Sequence, residues 1–457
     1  MRKRISSLLA SILALNSVAC SEDPHTPIKS SDLHSQQLLP SFAVGFGKQD
    51  ITTTKILPLG GYGTFFDPFK DKSRKNTLGT HDPLFATAIA FKSPNEGLAL
   101  TLVSVDSVGL GEHSVKRIRE QVKAALPHHN FVLHVSATHA HQTPDTMGLW
   151  GNLAWGTGRN SEYMNLMEKG VSKAAIQALQ SMTSATLSYA KSSKSNNLTA
   201  EPHLSRDDRV TLIAAHDMQG KLIGTLTQWS AHPTVLNEKN NTLSADYVGT
   251  FRYYMETKYK GTHVYFNGTL GATYALPSKK MPDPFVTGAK DPDVLDGYEY
   301  TAGLGFELFE TVEKALATLK PVSQGTLFAM TSAVNLPIDN RLFQMASNLG
   351  IVEKKIPNGK TVTETSWFRI GDLQGALVPG EMFASGTNAI RSRMENQGAS
   401  ATLIIGMAND WLGYLMSEQE FKGSRYSYQK TLCPHPKASE QIVEKVPVQK
   451  KMSENLF

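Results

Sequence analysis

Between Gly97 and Ser136 the chain reads strand, helix, strand, and this pattern constrains its fold more than any other feature. Residues 98–105 (LALTLVSV) form an apolar, β-prone run suited to a buried strand. Val115, Ile118, Val122 and Leu126 then fall three, four and four residues apart, the stripe of an amphipathic helix that Pro127 ends. Residues 131–136 (FVLHVS) make a second strand. Two parallel strands joined by a helix are a βαβ unit with a right-handed crossover. Sheets built from such units place ligand sites just beyond the carboxyl ends of their strands.

Further strands are expected at 184–190, 209–215, 222–230, 263–267, 325–335, 366–378 and 401–407, with helices near 161–181, 301–318 and 382–397. The mixture predicts a mixed α/β fold, one large catalytic domain over residues 41–430 with its site at strand ends. Residues 431–457 are Lys-rich and polar and read as a tail that docks loosely or frays.

The amino terminus has the form of a secretory leader over residues 1–19: Arg2, Lys3 and Arg4, an apolar run too short to span a bilayer, and small residues before Cys20. Cys20 resembles a bacterial lipobox cysteine, although Ser17 replaces the usual large aliphatic residue, and plain cleavage before Cys20 is the alternative. Residues 20–40 then read as a lipidated cysteine and flexible tether, which places the protein in the periplasm or cell envelope with membrane association through Cys20. Only Cys433 remains beyond it, so a disulfide scaffold is excluded. The formal charge of +5 includes the three basic residues of the leader. No basic field of the kind nucleic-acid binding needs is left.

The chain contains no Gly-x-Ser-x-Gly elbow, no phosphate-binding loop, no Gly-x-Gly-x-x-Gly, no His-Glu-x-x-His and no Cys-x-x-Cys. What it does contain is Ser136-Ala137-Thr138-His139-Ala140-His141-Gln142-Thr143-Pro144-Asp145, just past a predicted parallel strand. Two histidines at i and i+2 in extended chain point to one side. Ala231-His232-Pro233-Thr234, Pro379-Gly380-Glu381 and Ala408-Asn409-Asp410-Trp411-Leu412-Gly413-Tyr414 have the same placement after predicted strands. Imidazole nitrogens with carboxylate or phenolate oxygens suit Zn²⁺. Each residue also has a purely structural reading: half-exposed loop histidines, a turn histidine at 232, a helix-start carboxylate at 381 and a core aromatic at 414.

Taken in order, these motifs, with Ser244-Ala245-Asp246-Tyr247-Val248-Gly249 and Leu78-Gly79-Thr80-His81-Asp82-Pro83-Leu84-Phe85-Ala86, resemble the catalytic N-terminal domain of the neutral/alkaline non-lysosomal ceramidases. The resemblance spans about residues 41–425 and, with the lipobox-like leader ending at Cys20, suggests a bacterial lipoprotein form of that sphingolipid hydrolase. It implies zinc ligands at His139, His232, Glu381 and Tyr414, with His141 as an outer, proton-handling histidine. The implied chemistry is hydrolysis of a linear amide, N-acylsphingosine or a related N-acyl lipid, by metal-activated water. Catalytic roles fall to His141 and Tyr414.

Three departures accompany the resemblance. Gly268, in Phe266-Asn267-Gly268-Thr269, stands about where the family carries a serine proposed to matter for catalysis. Gln142-Thr143-Pro144-Asp145 replaces Ser-Gly-Pro-Gly and is expected to put a carboxylate at the mouth of the site. The family's C-terminal β-sandwich domain is expected to be missing. Trp150 and Trp155 are candidates for a substrate pocket, and Asp246, His81 and Asp106 for orienting roles. The readings left open are a metallohydrolase of another amide or ester and a non-catalytic, ligand-binding surface lipoprotein.

Overall fold

Two covalently distant sheets stack face to face, and the strand ends they share carry the chemistry. The computed structural model describes residues 42–63, 76–94, 97–151, 156–194, 197–199, 207–286, 288–323 and 326–448, all within one compact unit, Leu39–Phe457. The leader, Cys20, the tether and Trp155 lie outside the described residues.

The larger sheet contains β1 (Phe42–Asp50), β2 (Phe85–Lys92), β3 (Ala99–Val105), β4 (Phe131–Ala137), β5 (Thr183–Ser193), β6 (Arg209–His216), β7 (Leu222–Trp229) and β8 (Thr262–Asn267). Their spatial order is β4-β3-β2-β1-β5-β6-β7-β8, with the short strand Lys320–Pro321 beside β5. β3 and β4 are parallel across the helix α1 (Glu112–Ala125), as the sequence predicts. A second parallel pair, β7 and β8, is joined by α3 (Tyr247–Tyr259).

Side chains of alternating parity divide the faces of this sheet. Ala86, Ala88, Val103 and Val135 pack under α1 and α2 (Ser161–Gln180). Leu212, Trp229 and Tyr265 pack under α3 and α4 (Leu295–Leu316). The opposite parity, including Ile89, Leu100, Leu102, Leu226 and Val264, meets Phe368, Leu373, Leu377 and Leu403 of the second sheet.

That second sheet corrects the expected fold class. The mixed α/β class holds, but where the C-terminal β-sandwich is expected to be missing, β9 (Leu327–Pro337), β10 (Lys360–Ile370), β11 (Leu373–Leu377) and β12 (Ala401–Ile405) form a four-stranded sheet in that order. Its outer face, with Val334, Trp367, Ala376 and Ile404, is covered by α5 (Ala384–Glu395) and α6 (Ala438–Lys445). The described layers are therefore helix, sheet, sheet, helix, and the C-terminal third is extensively structured. β11 and β12 are parallel across α5, a third βαβ unit.

Two smaller corrections follow. The strand expected at 366–378 is a hairpin, turned at Gly371, whose φ of 58° suits glycine. The segment read as a polar tail over 431–457 carries α6, and its Ala438 and Ile442 are buried because an apolar stripe three to four residues apart faces the sheet. Among the described residues no helix is long and apolar enough to cross a membrane.

Candidate metal centre

Each of the three βαβ units delivers polar side chains to one end of the stacked sheets. His139 and His141 follow β4, His232 follows β7, Glu381 follows β11 and Tyr414 follows β12. Both sheets are needed, and they are stitched there: Asn409 N–H donates to the Val135 carbonyl at 2.7 Å and Gly406 N–H to the Asn267 carbonyl at 2.9 Å. The backbone is strained at the same place, with His139 at φ 66°, Met407 at 54° and Asn409 at 63°.

Backbone carbonyls fix the imidazoles. His139 Nδ1 donates to the Val108 carbonyl at 2.5 Å, and His232 Nδ1 to the Thr273 carbonyl at 2.8 Å. A carbonyl only accepts, so both Nδ1 atoms carry a proton, and Nε2 is the nitrogen each ring turns toward the centre and would offer to a cation. Those Nε2 atoms lie 3.3 and 3.1 Å from Glu381 Oε2. His141 Nε2 lies 3.2 Å from His139 Nε2, and the three imidazoles each offer a nitrogen within 4.8 Å of the others.

Imidazole nitrogens and a carboxylate oxygen gathered in a buried space need a positive charge among them. One extra proton would serve a single pair, whereas three imidazole nitrogens within 4.8 Å of one another, two of them within 3.3 Å of a carboxylate oxygen, suit a divalent cation. The residues present therefore fit a bound metal. Carbonyls on the far nitrogen of metal-binding histidines are the usual means of fixing the ring.

Glu381 is almost completely buried, which alone would raise its pKa, but the imidazoles of His139 and His232 hold it below the usual carboxylate range. Tyr414 sits opposite Glu381 in a two-residue parallel ladder, Glu381–Met382 against Tyr414–Leu415. Burial, then the neighbouring Glu381 carboxylate, push the Tyr414 hydroxyl well above its ordinary range. Without a cation it keeps its proton.

His139, His141, His232, Glu381 and Tyr414 are thus brought together, and His141 stands within reach of the centre itself. Other candidates are placed elsewhere. Asp246 Oδ2 accepts from Leu236 N–H at 3.0 Å and its Oδ1 from Tyr247 N–H at 2.7 Å, so it caps α3 and shapes the loop after His232 without touching that imidazole. His81 is held between Asp82 and Asp283, and Asp106 pairs with Arg252. Asp145 is buried, not at a mouth, because its carboxylate accepts from the N–H groups of Met147, Gly148 and Trp150. Trp150 is buried, its ring 6.0 Å from that of Trp411.

Gly268 lies beneath the loop that carries Thr273. A Cβ there would stand 2.3 Å from Gln228 Nε2 and 2.6 Å from Ser230 Oγ, so a serine at that position would force both side chains to shift.

Sequence reasoning missed three participants. Trp411 Nε1–H donates to Glu381 Oε1 at 3.1 Å. Tyr62 packs edge-on to His141 at 4.6 Å, and Tyr274 stacks on His232 at 4.8 Å. The Gly60-Gly61 pair was the available signal for the Tyr62 contact: Gly61, at φ 105°, lies so close to the His141 ring that a Cβ would be 2.2 Å from it.

The family model described as neutral/alkaline non-lysosomal ceramidase, N-terminal, matches residues 42–293, more than half of the chain. A solved ceramidase complexed with C2 superposes with a TM-score of 0.71 at 18% identity, over 91% of this chain and 77% of that one. Neutral ceramidase from Pseudomonas aeruginosa gives a TM-score of 0.69 at 18% identity, over 91% and 76%. At these identities the likeness is one of fold. No curated protein matches the chain.

Proposed function

The chain belongs to the neutral/alkaline non-lysosomal ceramidase family and is a zinc-type amidohydrolase, and from that premise we propose that it cleaves the linear amide of an N-acyl lipid, with N-acylsphingosine the first substrate to try. The observation that carries this reading is the cluster of His139, His141 and His232 nitrogens, two of which, those of His139 and His232, lie beside Glu381 Oε2.

Zn²⁺ is the ion proposed for this centre; when bound it polarises a carbonyl and makes water a nucleophile near neutral pH. His139, His232 and Glu381 would hold it, the Val108 and Thr273 carbonyls keeping Nδ1 of both imidazoles occupied so that Nε2 is left to ligate. Tyr414, the ladder partner of Glu381, would supply a phenolic oxygen to the same ion. His141 delivers a proton from Nε2 to the departing amine, with Tyr62 against its ring to limit rotation. No hydroxyl nucleophile is available at Gly268, so the proposed route does not pass through a serine.

Gly268 also supports a second reading, hydrolysis of another amide or an ester, because the family's serine-dependent features do not transfer. The N-terminal pattern ending at Cys20 supports export and lipid tethering in the envelope as part of the proposal. The test is a panel of N-acylsphingosine, N-acyl amino acids and simple esters, with and without chelator. Chelator-sensitive cleavage of N-acylsphingosine supports the first reading; cleavage confined to the others moves the protein to the second; no turnover on any of them favours a binding protein.

A further inference from the structure

Glu381 has two carboxylate oxygens, and they have different environments. Oε2 faces His139 and His232, whereas Oε1 accepts the indole N–H of Trp411 at 3.1 Å. The indole is a donor only, so this contact has one polarity. It ties up Oε1 and turns the carboxylate so that Oε2 alone points to the imidazoles.

The indole is itself held on every side. Its backbone N–H donates to Asp410 Oδ1 at 2.9 Å, and Asp410 Oδ2 accepts from Lys354 Nζ at 2.5 Å and Thr363 Oγ1 at 2.8 Å. Lys354 also reaches Glu112 at 2.8 Å, so a mostly buried ion pair anchors the loop from α1 to β10. The loop is zipped to the segment it serves: Leu412 N–H donates to the Pro379 carbonyl at 3.0 Å and Glu381 N–H to the Gly413 carbonyl at 2.9 Å. The ring lies 6.0 Å from that of Trp150 and 6.2 Å from that of Phe343. A ring so enclosed loses little further freedom in making its hydrogen bond.

We infer that Trp411 is a positioning residue for the metal centre, acting through Glu381 by fixing which oxygen is presented and in what direction. This rests on the proposed reading of Glu381 as a ligand, but not on any substrate. Outer partners of metal ligands typically contribute about 10- to 100-fold in metal affinity.

The experiment is zinc affinity of the purified full chain by chelator competition, wild type against Trp411→Phe. Phenylalanine keeps an aromatic ring but has no N–H. We expect affinity to fall roughly 10- to 100-fold while the metal-free protein, somewhat less stable for the lost packing and hydrogen bond, still unfolds in one cooperative transition. Equal affinity in a folded variant overturns the inference and leaves the metal centre standing. A wild type that takes up no zinc overturns the metal reading and the inference with it. Should the variant not fold, the indole N–H signals of the wild type, which has five tryptophans, decide the matter by NMR. One signal moving on zinc addition and displaced in Glu381→Gln supports the inference; no indole responding to either overturns it.

Discussion

Nε2 of His232 lies 3.1 Å from Oε2 of Glu381, although 149 residues of chain separate them. His232 comes from the larger sheet and Glu381 from the smaller, so the pair exists only when the two sheets are packed. Folding of the whole body, not of any local motif, assembles the centre.

Restoring the family serine should harm this chain. Gly268→Ser places a Cβ against Gln228 Nε2 and Ser230 Oγ, both buried. Overpacking of this kind costs about 1–3 kcal/mol. Denaturant unfolding should show that loss with metal content kept and no gain in turnover; an equally stable variant would show that the pocket beneath Gly268 relaxes freely.

The expected path from residues to centre is legible only in part. β3, α1 and β4 follow from strong periodicity, and the motifs after β4, β7, β11 and β12 mark strand ends that do meet. β2 and α3 left no such trace. β2 is buried on both faces, so its FATAIAFK has no polar alternation, and α3 carries aromatic residues on several sides because it lies between the sheet and α4. The second sheet, and with it the supply of Glu381 and Tyr414, depends on pairings such as β11 with β12 across α5. Asp145 looked like a mouth carboxylate because nothing in its spacing tells that three backbone N–H groups will claim it.

His81 supplies a pH-dependent stability term away from the centre. It bonds Asp82 Oδ1 at 2.8 Å and Asp283 Oδ2 at 2.9 Å, with Lys290 on the same Asp283 and Tyr298 stacked on the ring. Burial opposes its protonation, but the two carboxylates prevail and raise its pKa from 6.5 to about 9. The folded value is the higher one, so this stabilisation is full below about pH 6.5 and is lost as pH rises through about 9. Thermal midpoints should fall across that window in the wild type, and the fall should be shallower in His81→Gln. Parallel curves for the two proteins would contradict the assignment.

Asp106 and Arg252 form a bidentate pair, Nη1 to Oδ1 at 2.9 Å and Nη2 to Oδ2 at 2.5 Å, with both side chains buried. Asp106→Asn leaves the guanidinium without its counter-charge, which costs about 3–5 kcal/mol in such sites. The double variant Asp106→Asn with Arg252→Met should recover part of that loss. Unfolding free energies that simply add would deny the coupling.

The most direct test is elemental analysis of metal bound to the purified wild type and to His232→Ala, alongside their unfolding transitions. The account predicts about one zinc per wild-type chain, and its loss in a variant that still folds. A wild type without metal, or a variant that keeps its full complement, would contradict it.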